Sequence, residues 1–160
     1  MTHLLYWLPL TFAALHIFEE FVWPGGFLEW YRSYRPEFAA SLTPRFAIAI
    51  NSILLVAGFA LGWLGPTWER GLSFWLILSA LLAANAIFHI IGVIRLHRYS
   101  PGVVTGTVLY LPLFFWGYGH FINDGDASWR FAITSFLLGA SYQLWSILNH
   151  RIRSATTAGT

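Results

Sequence analysis

The sequence predicts an all-α integral membrane protein: a bundle of five transmembrane helices with a short interfacial helix in the first loop. Two observations carry this prediction. Of the 160 residues, 57% are apolar and only 10% are charged, whereas a typical soluble domain is roughly 25% charged. Five stretches are also long and apolar enough to cross a bilayer, which takes about 17–25 residues. We therefore expect one domain, residues 1–153, followed by a disordered tail at 154–160.

Helix-ending and helix-starting residues separate the five predicted spans. Pro24-Gly25-Gly26 ends the first span, since neither residue type continues a helix cheaply. Thr43-Pro44 is a favourable N-cap and first-turn pair for the second. The predicted spans are Leu4–Trp23, Phe46–Gly65, Gly71–Ile94, Gly102–Ile122 and Phe131–Leu148.

The remaining boundaries are predicted in the same way. Ser100-Pro101 is expected to cap the fourth span, which should kink at Pro112 because proline lacks the backbone N–H. Asp126 or Ser128 is expected to cap the fifth. Between the first two spans, Phe27–Phe38 mixes aromatic and charged residues, which predicts a helix lying in the membrane interface.

The distribution of arginines predicts how this bundle is oriented in the membrane. Cytoplasmic loops are enriched in basic residues, so the side with more arginines is predicted to be cytoplasmic. The N-terminus is then outside and the C-terminus is in the cytoplasm, at a cell membrane such as a bacterial inner membrane. The first loop, the third loop and the C-terminus hold Arg32, Arg35, Arg45, Arg95, Arg98, Arg151 and Arg153, against Arg70 and Arg130 on the other side.

Composition excludes several function classes. The absence of cysteine rules out disulfides, thiolate metal sites and cysteine nucleophiles. A net charge of +2, spread along the chain, does not predict nucleic-acid binding. No phosphate-cradling loop or dinucleotide fingerprint is present. The expected partners are membrane lipids and a lipophilic small-molecule substrate.

Three ionisable residues lie within five positions of the first span: His16, Glu19 and Glu20. Helical spacing places all three on one side of the helix. Each costs several kcal/mol in a bilayer unless it is paired or faces water. Packing does not explain such a cluster, so these residues are predicted to be catalytic.

Polar residues of the other spans fall at the same depth. Asn85 and His89 are four residues apart and point together, and both are predicted to act with the cluster. All these residues lie about 4–14 Å from the cytoplasmic ends of their helices, which predicts a pocket with a polar floor and apolar walls. The predicted substrate-binding residues are Asn51, Thr105, Tyr142 and Gln143, for which interhelical hydrogen bonding is the structural alternative.

Small residues on the spans should let the helices approach closely. The candidates are Gly58, Gly62, Gly92, Gly106 and Gly139.

The motif His16-x-x-Glu19-Glu20 resembles the signature of the HXXEE family of small integral membrane proteins. The resemblance extends to Asn85-x-x-x-His89 and to Tyr99-Ser100-Pro101-Gly102-Val103-Val104-Thr105, and so covers most of the chain. It implies an enzyme in which the motif residues are catalytic. It implies no particular substrate.

The first functional hypothesis is an intramembrane enzyme that needs no cofactor. Adjacent carboxylates resist double ionisation, so one glutamate can serve as an acid while the other, supported by His16, serves as a base. Such a pair could isomerise or cyclise an isoprenoid-like or lipid-like substrate. Tryptophan and tyrosine faces could stabilise a carbocation.

The second hypothesis is a metal-dependent membrane enzyme, a hydrolase or an oxidoreductase. His16, Glu20 and His89 would form a His₂Glu set for one zinc or iron ion, with an open position. The third hypothesis is a small proton-coupled transporter or an accessory subunit, because carboxylate–histidine clusters also form proton relays. It is the least favoured, since no polar path continues to the outer boundary.

Overall fold

In a computed structural model the described residues are 3–158, with side chains described as far as residue 153. This part of the chain is entirely helical, with no strand. Three of its helices are long and apolar enough to cross a membrane: α3 (Pro44–Leu64), α4 (Gly71–Leu96) and the Trp129–Arg153 part of α7 (Trp129–Ala158). The all-helical prediction is therefore confirmed, whereas the structure identifies three such helices rather than five.

The first predicted span forms α1 (His3–Phe21), a helix of 19 residues. Its length is sufficient to cross a bilayer. It is not among the three helices that are long and apolar enough to cross a membrane, and it carries the ionisable residues His16, Glu19 and Glu20.

The fourth predicted span is not one continuous helix. It consists of α5 (Val103–Thr105), a π-helical turn (Gly106–Tyr110) and α6 (Leu111–Asn123). Pro112 has no N–H to bond the carbonyl four residues earlier, and the irregular turn lies immediately before it. The structure thus shows a π turn just before Pro112, while a kink of the helix axis there stays a prediction.

Two of the three predicted helix caps are confirmed by the structure. The Thr43 hydroxyl accepts a hydrogen bond from the Phe46 N–H at 3.2 Å, and the Ser128 hydroxyl accepts one from the Phe131 N–H at 3.3 Å. The prediction that Ser100-Pro101 caps the fourth span is wrong, because Gly102, at φ +99°, precedes α5. Helix α7 also continues through 154–158, part of the predicted tail, while residues 159 and 160 lie outside the described range.

The helix predicted in the first loop is α2 (Phe27–Tyr34), followed by a 3₁₀ turn (Pro36–Phe38). Trp30, Tyr31 and Tyr34 are buried, whereas Glu29 and Arg32 are exposed. One face of α2 therefore covers the bundle and the other faces away from it.

Helix α4 is the centre of the fold. Its side chains Trp75, Leu76 and Ala86 are fully buried, and it packs against α1, α3, α6 and α7. The five predicted glycines all lie where a Cβ would press on a neighbouring element: Gly58 on Leu10, Gly62 on Trp7, Gly92 on Trp30, Gly106 on Ala86 and Gly139 on the Ile77 carbonyl.

Large apolar side chains cover the outside of the bundle. On α3 alone, Ile48, Ile53, Val56 and Phe59 are each more than half exposed. A contiguous apolar surface of this kind is suited to contact with lipid rather than with water. It agrees with a membrane location.

Candidate functional site

His16, Glu19 and Glu20 of α1 are buried but do not all face the same way. His16, Glu19 and Glu20 are 1%, 6% and 5% exposed. His16 and Glu20, one helical turn apart, approach each other, with 3.5 Å between His16 Nε2 and Glu20 Oε1. Glu19 is rotated by about 100° from Glu20 and contacts a different segment of the chain.

The Glu19 carboxylate binds the segment that leads into α5. It accepts five hydrogen bonds, from the Tyr99 hydroxyl, from the N–H groups of Gly102, Val104 and Thr105, and from the Thr105 hydroxyl. Every one of these groups is a donor, which suits an ionised carboxylate. Glu19 therefore anchors the 99–105 segment to α1.

Thr105 connects Glu19 to His16. Its hydroxyl donates its single proton to Glu19, so the same oxygen accepts from the Nδ1–H of His16 at 2.9 Å. This hydrogen bond sets the tautomer of His16. The Nε2 lone pair of the neutral imidazole is then directed toward Glu20 and Asn85.

Helix α4 supplies the other half of the site. Asn85 Nδ2 lies 2.9 Å from His16 Nε2 and 3.5 Å from His89 Nε2. His89 Nε2 lies 3.2 Å from Glu20 Oε1. As a result, His16, Glu20 and His89 offer ligand atoms that are all within 4.8 Å of one another.

The second ring nitrogen of His89, Nδ1, also has a hydrogen-bond partner. Its Nδ1 lies 2.9 Å from the Ser100 hydroxyl, which can either accept from or donate to it. His89 can thus present a lone pair or a proton at Nε2. Its ring is fully buried beside Phe27, Trp30 and Phe88, with Trp30 stacked on it at a centroid distance of 5.6 Å.

Gly102 fits between the two imidazoles. A Cβ at this position would lie 2.7 Å from His16 Cε1 and 2.9 Å from His89 Cε1. Its φ of +99° is a backbone conformation that favours glycine. The lack of space for a Cβ and the positive φ both favour glycine here, and glycine lets the 99–105 segment lie against the two imidazoles.

The site opens on a cavity of about 480 Å³ enclosed by α1, α3, α4 and α7, with α2 along one side. This volume lies in the range of small-molecule pockets. Within the described chain, α3 and α7 make few contacts with each other. Ile53 of α3 and Trp145 of α7 line the cavity and are 64% and 46% exposed. The cavity is therefore accessible from the apolar surface between these two helices.

The structure distributes the predicted site residues over three places. His16, Glu20 and Asn85 line the cavity, and His89 lies directly behind them. The predicted substrate-binding residues Asn51, Tyr142 and Gln143 also line it. Thr105 and Glu19 lie away from the cavity, on the far side of His16.

Tyr99, Ser100 and Gly102 were not predicted as site residues, although all three belong to the segment that carries the family resemblance. The sequence feature that could have identified them is the run of polar residues and glycine directly after the arginines of the third loop. Tyr31 and Arg35, which line the cavity from the α2 side, were also not predicted as site residues.

Together, the fold and the site define a helical protein with three helices long and apolar enough to cross a membrane, and with a buried histidine–glutamate cluster beside a cavity that opens on the apolar surface. Residues 7–117 match the model of a family described as "Protein of unknown function with HXXEE motif". The chain belongs to this family. No curated protein and no solved structure matches the chain.

Proposed function

We propose that the protein is a metal-dependent membrane enzyme acting on a lipophilic substrate, with His16, Glu20 and His89 as the ligands of one zinc or iron ion. The observation that carries this proposal is the spacing of the ligand atoms. Glu20 Oε1 is 3.5 Å from His16 Nε2 and 3.2 Å from His89 Nε2, and all three ligand atoms lie within 4.8 Å of one another. Tetrahedral coordination with bonds of about 2.0–2.1 Å separates ligand atoms by about 3.3 Å.

The surroundings of the ligands support the same proposal. Metal-binding histidines usually donate their second ring N–H to an oxygen, which orients the ring. His16 has this arrangement, through Thr105 to Glu19, and His89 has Ser100 at the corresponding position. In this proposal Glu19 is a positioning residue and not a catalytic one.

Three protein ligands leave a further coordination position for water or substrate, as in catalytic zinc sites. His16 and Glu20 line the cavity, so this position would be reached from the cavity. A metal ion there would polarise a substrate carbonyl or activate water, which favours hydrolysis. Asn85 would hydrogen-bond the reacting group.

Metal analysis of the purified protein tests the proposal. The wild-type chain should contain about one zinc or iron ion, and Glu20→Gln and His89→Gln should each lower the content at least about tenfold. His120→Gln is the control, because His120 pairs with Asp124 outside this site. Less than about one-tenth of an ion per wild-type chain after metal is added would reject a metal site.

A second candidate is metal-free acid–base catalysis on an isoprenoid-like or lipid-like substrate, by an isomerase or cyclase. It is favoured by the hydrogen bonds already present. Glu20 pairs with His89, and the Asn85 amide approaches the lone pair of His16, so the cluster satisfies itself without an ion. Substrate conversion that persists after chelation but is lost in Glu20→Gln would support this candidate.

We also propose that all five predicted segments cross the membrane, with the N-terminus outside and the C-terminus in the cytoplasm. The seven-to-two distribution of arginines supports this orientation. His16, Glu19 and Glu20 of α1 point into the bundle, as required of ionisable residues within a span.

A further inference from the structure

We infer that the cavity binds a single-chain amphiphile with an anionic headgroup, a carboxylate or a phosphate, held by Arg35 and Tyr31. This ligand would be the substrate class of the enzyme, so the inference rests on the proposed function. The binding itself can be tested separately.

Arg35 is the first element of this headgroup site. It lines the cavity, and its Nε is buried without a hydrogen-bond partner. The nearest carboxylate is that of Glu37, at 3.7 Å from Nη1, and the Glu37 side chain is 54% exposed. Such a pair is weak. The guanidinium, with five N–H donors, thus lacks a strong acceptor in the described chain.

Tyr31 is the second element. It lines the same cavity, is 7% exposed, and its hydroxyl makes no hydrogen bond to another described residue. Burial raises the pKa of Tyr31 to about 12. The hydroxyl therefore keeps its proton at neutral pH and can donate it to an anion.

The charge of the cavity wall also favours an anion. Its only carboxylate is that of Glu20, which is occupied by His16 and His89. Arg35 supplies a permanent positive charge. A buried donor without an acceptor costs free energy, so an anionic ligand would relieve a cost that the protein otherwise bears.

Much of the rest of the wall is apolar, which favours an amphiphile over a small anion. Its apolar lining includes Ile50, Leu54, Phe74, Ile77 and Leu81, beside the polar side chains already described. The opening between α3 and α7 lets a hydrocarbon chain remain in contact with surrounding lipid. One chain fits this shape, with the headgroup at α2 and the tail between the helices.

Equilibrium binding of radiolabelled palmitate to the full chain, in nanodiscs of phosphatidylcholine, tests this inference. Hexadecyl phosphate should displace palmitate with similar affinity, whereas hexadecanol should bind at least about tenfold more weakly, because it lacks the charge. Inorganic phosphate should not compete, since it lacks the tail. Arg35→Gln should weaken palmitate binding at least about tenfold and leave hexadecanol binding unchanged.

Arg32→Gln is the matched control, since Arg32 is exposed on α2, three residues before Arg35, and does not line the cavity. It should leave palmitate binding unchanged. If Arg35→Gln does not fold, Tyr31→Phe replaces it and should weaken palmitate binding several-fold.

Four results would overturn the inference: equal binding of palmitate and hexadecanol, an unchanged affinity in Arg35→Gln or its substitute, an equal loss in Arg32→Gln, or displacement by inorganic phosphate at the affinity of hexadecyl phosphate. Metal analysis is independent of this assay. Charge-selective binding in a metal-free protein would refute the metal site alone, and a bound metal with no charge selectivity would refute the headgroup site alone.

Discussion

At the scale of single residues, the most informative feature is the divergence of two neighbouring glutamates. Glu19 accepts five hydrogen bonds from the 99–105 segment, whereas Glu20 pairs with His16 and His89 at the cavity. Their environments predict opposite consequences of the same substitution.

Glu19→Gln should destabilise the fold. The amide nitrogen cannot accept hydrogen bonds, so at least one buried donor of the 99–105 segment loses its acceptor, at a cost of about 1–3 kcal/mol. Thermal unfolding in detergent should show a lower Tm. Glu20→Gln should remove the metal, and because loss of a bound ion by itself lowers Tm, the two variants are compared after metal removal, where Glu20→Gln should lower Tm less than Glu19→Gln. Equal Tm values for the two variants would contradict the positioning role of Glu19.

Gly102→Ala should weaken metal binding, because its Cβ would press on both imidazoles at 2.7 and 2.9 Å. Gly125→Ala is the control: Gly125 also has a positive φ, of +79°, but nothing lies within 4 Å of its Cβ. Both variants carry backbone strain, and only Gly102→Ala should lower the metal content. Parallel titrations with metal measure the difference.

At the scale of helices, α2 forms a cover over the site. Its Trp30 stacks on His89, and its Tyr31 lines the cavity. The close approach to α4 depends on Gly92, where a Cβ would lie 2.3 Å from Trp30 Cζ2.

Gly92→Ala should therefore push α2 away from α4. Overpacking of this kind costs about 1–3 kcal/mol, and amide hydrogen exchange in Phe27–Tyr34 should become faster. Gly119→Ala, with nothing within 4 Å of the added Cβ, should leave exchange in α2 unchanged. Unaltered exchange in Gly92→Ala would show that α2 does not depend on this contact.

At the scale of the whole molecule, the position of the cavity agrees with the orientation that the arginines predict. In the proposed orientation, Arg35 and α2 are at the cytoplasmic surface, and the cavity extends from there between α3 and α7. A ligand could then enter from the inner leaflet.

The proposed topology can be tested by cysteine labelling, because the chain has no cysteine of its own. Thr67→Cys and Asp126→Cys should react with a membrane-impermeant maleimide in intact cells. Ser33→Cys and Arg98→Cys should react only after permeabilisation. The reverse pattern would contradict the orientation, and labelling of Thr67 and Asp126 from different sides would contradict five spans.

Much of the site followed from local rules. The spacing of four residues placed His16 near Glu20 and Asn85 near His89, because helical neighbours at this spacing share a face. The same rule also placed Glu19 on the side of His16 and Glu20, which was wrong, because Glu19 binds the 99–105 segment. Depth along the helices also placed Asn51, Tyr142 and Gln143 at the same cavity. Local rules failed at Ser100, which looked like a helix cap and instead bonds His89.

The sequence by itself determined the helical fold, the apolar surface and the pairing of side chains within one helical turn, because each depends on composition or on a period of 3.6 residues. Only the tertiary structure decided that Glu19 turns to the 99–105 segment while Glu20 turns to the cavity. It also decided that Arg35 joins the cavity wall. These contacts join residues from separate helices, such as Tyr99 and Glu19 at 80 positions apart, and no local periodicity encodes a partner at that distance.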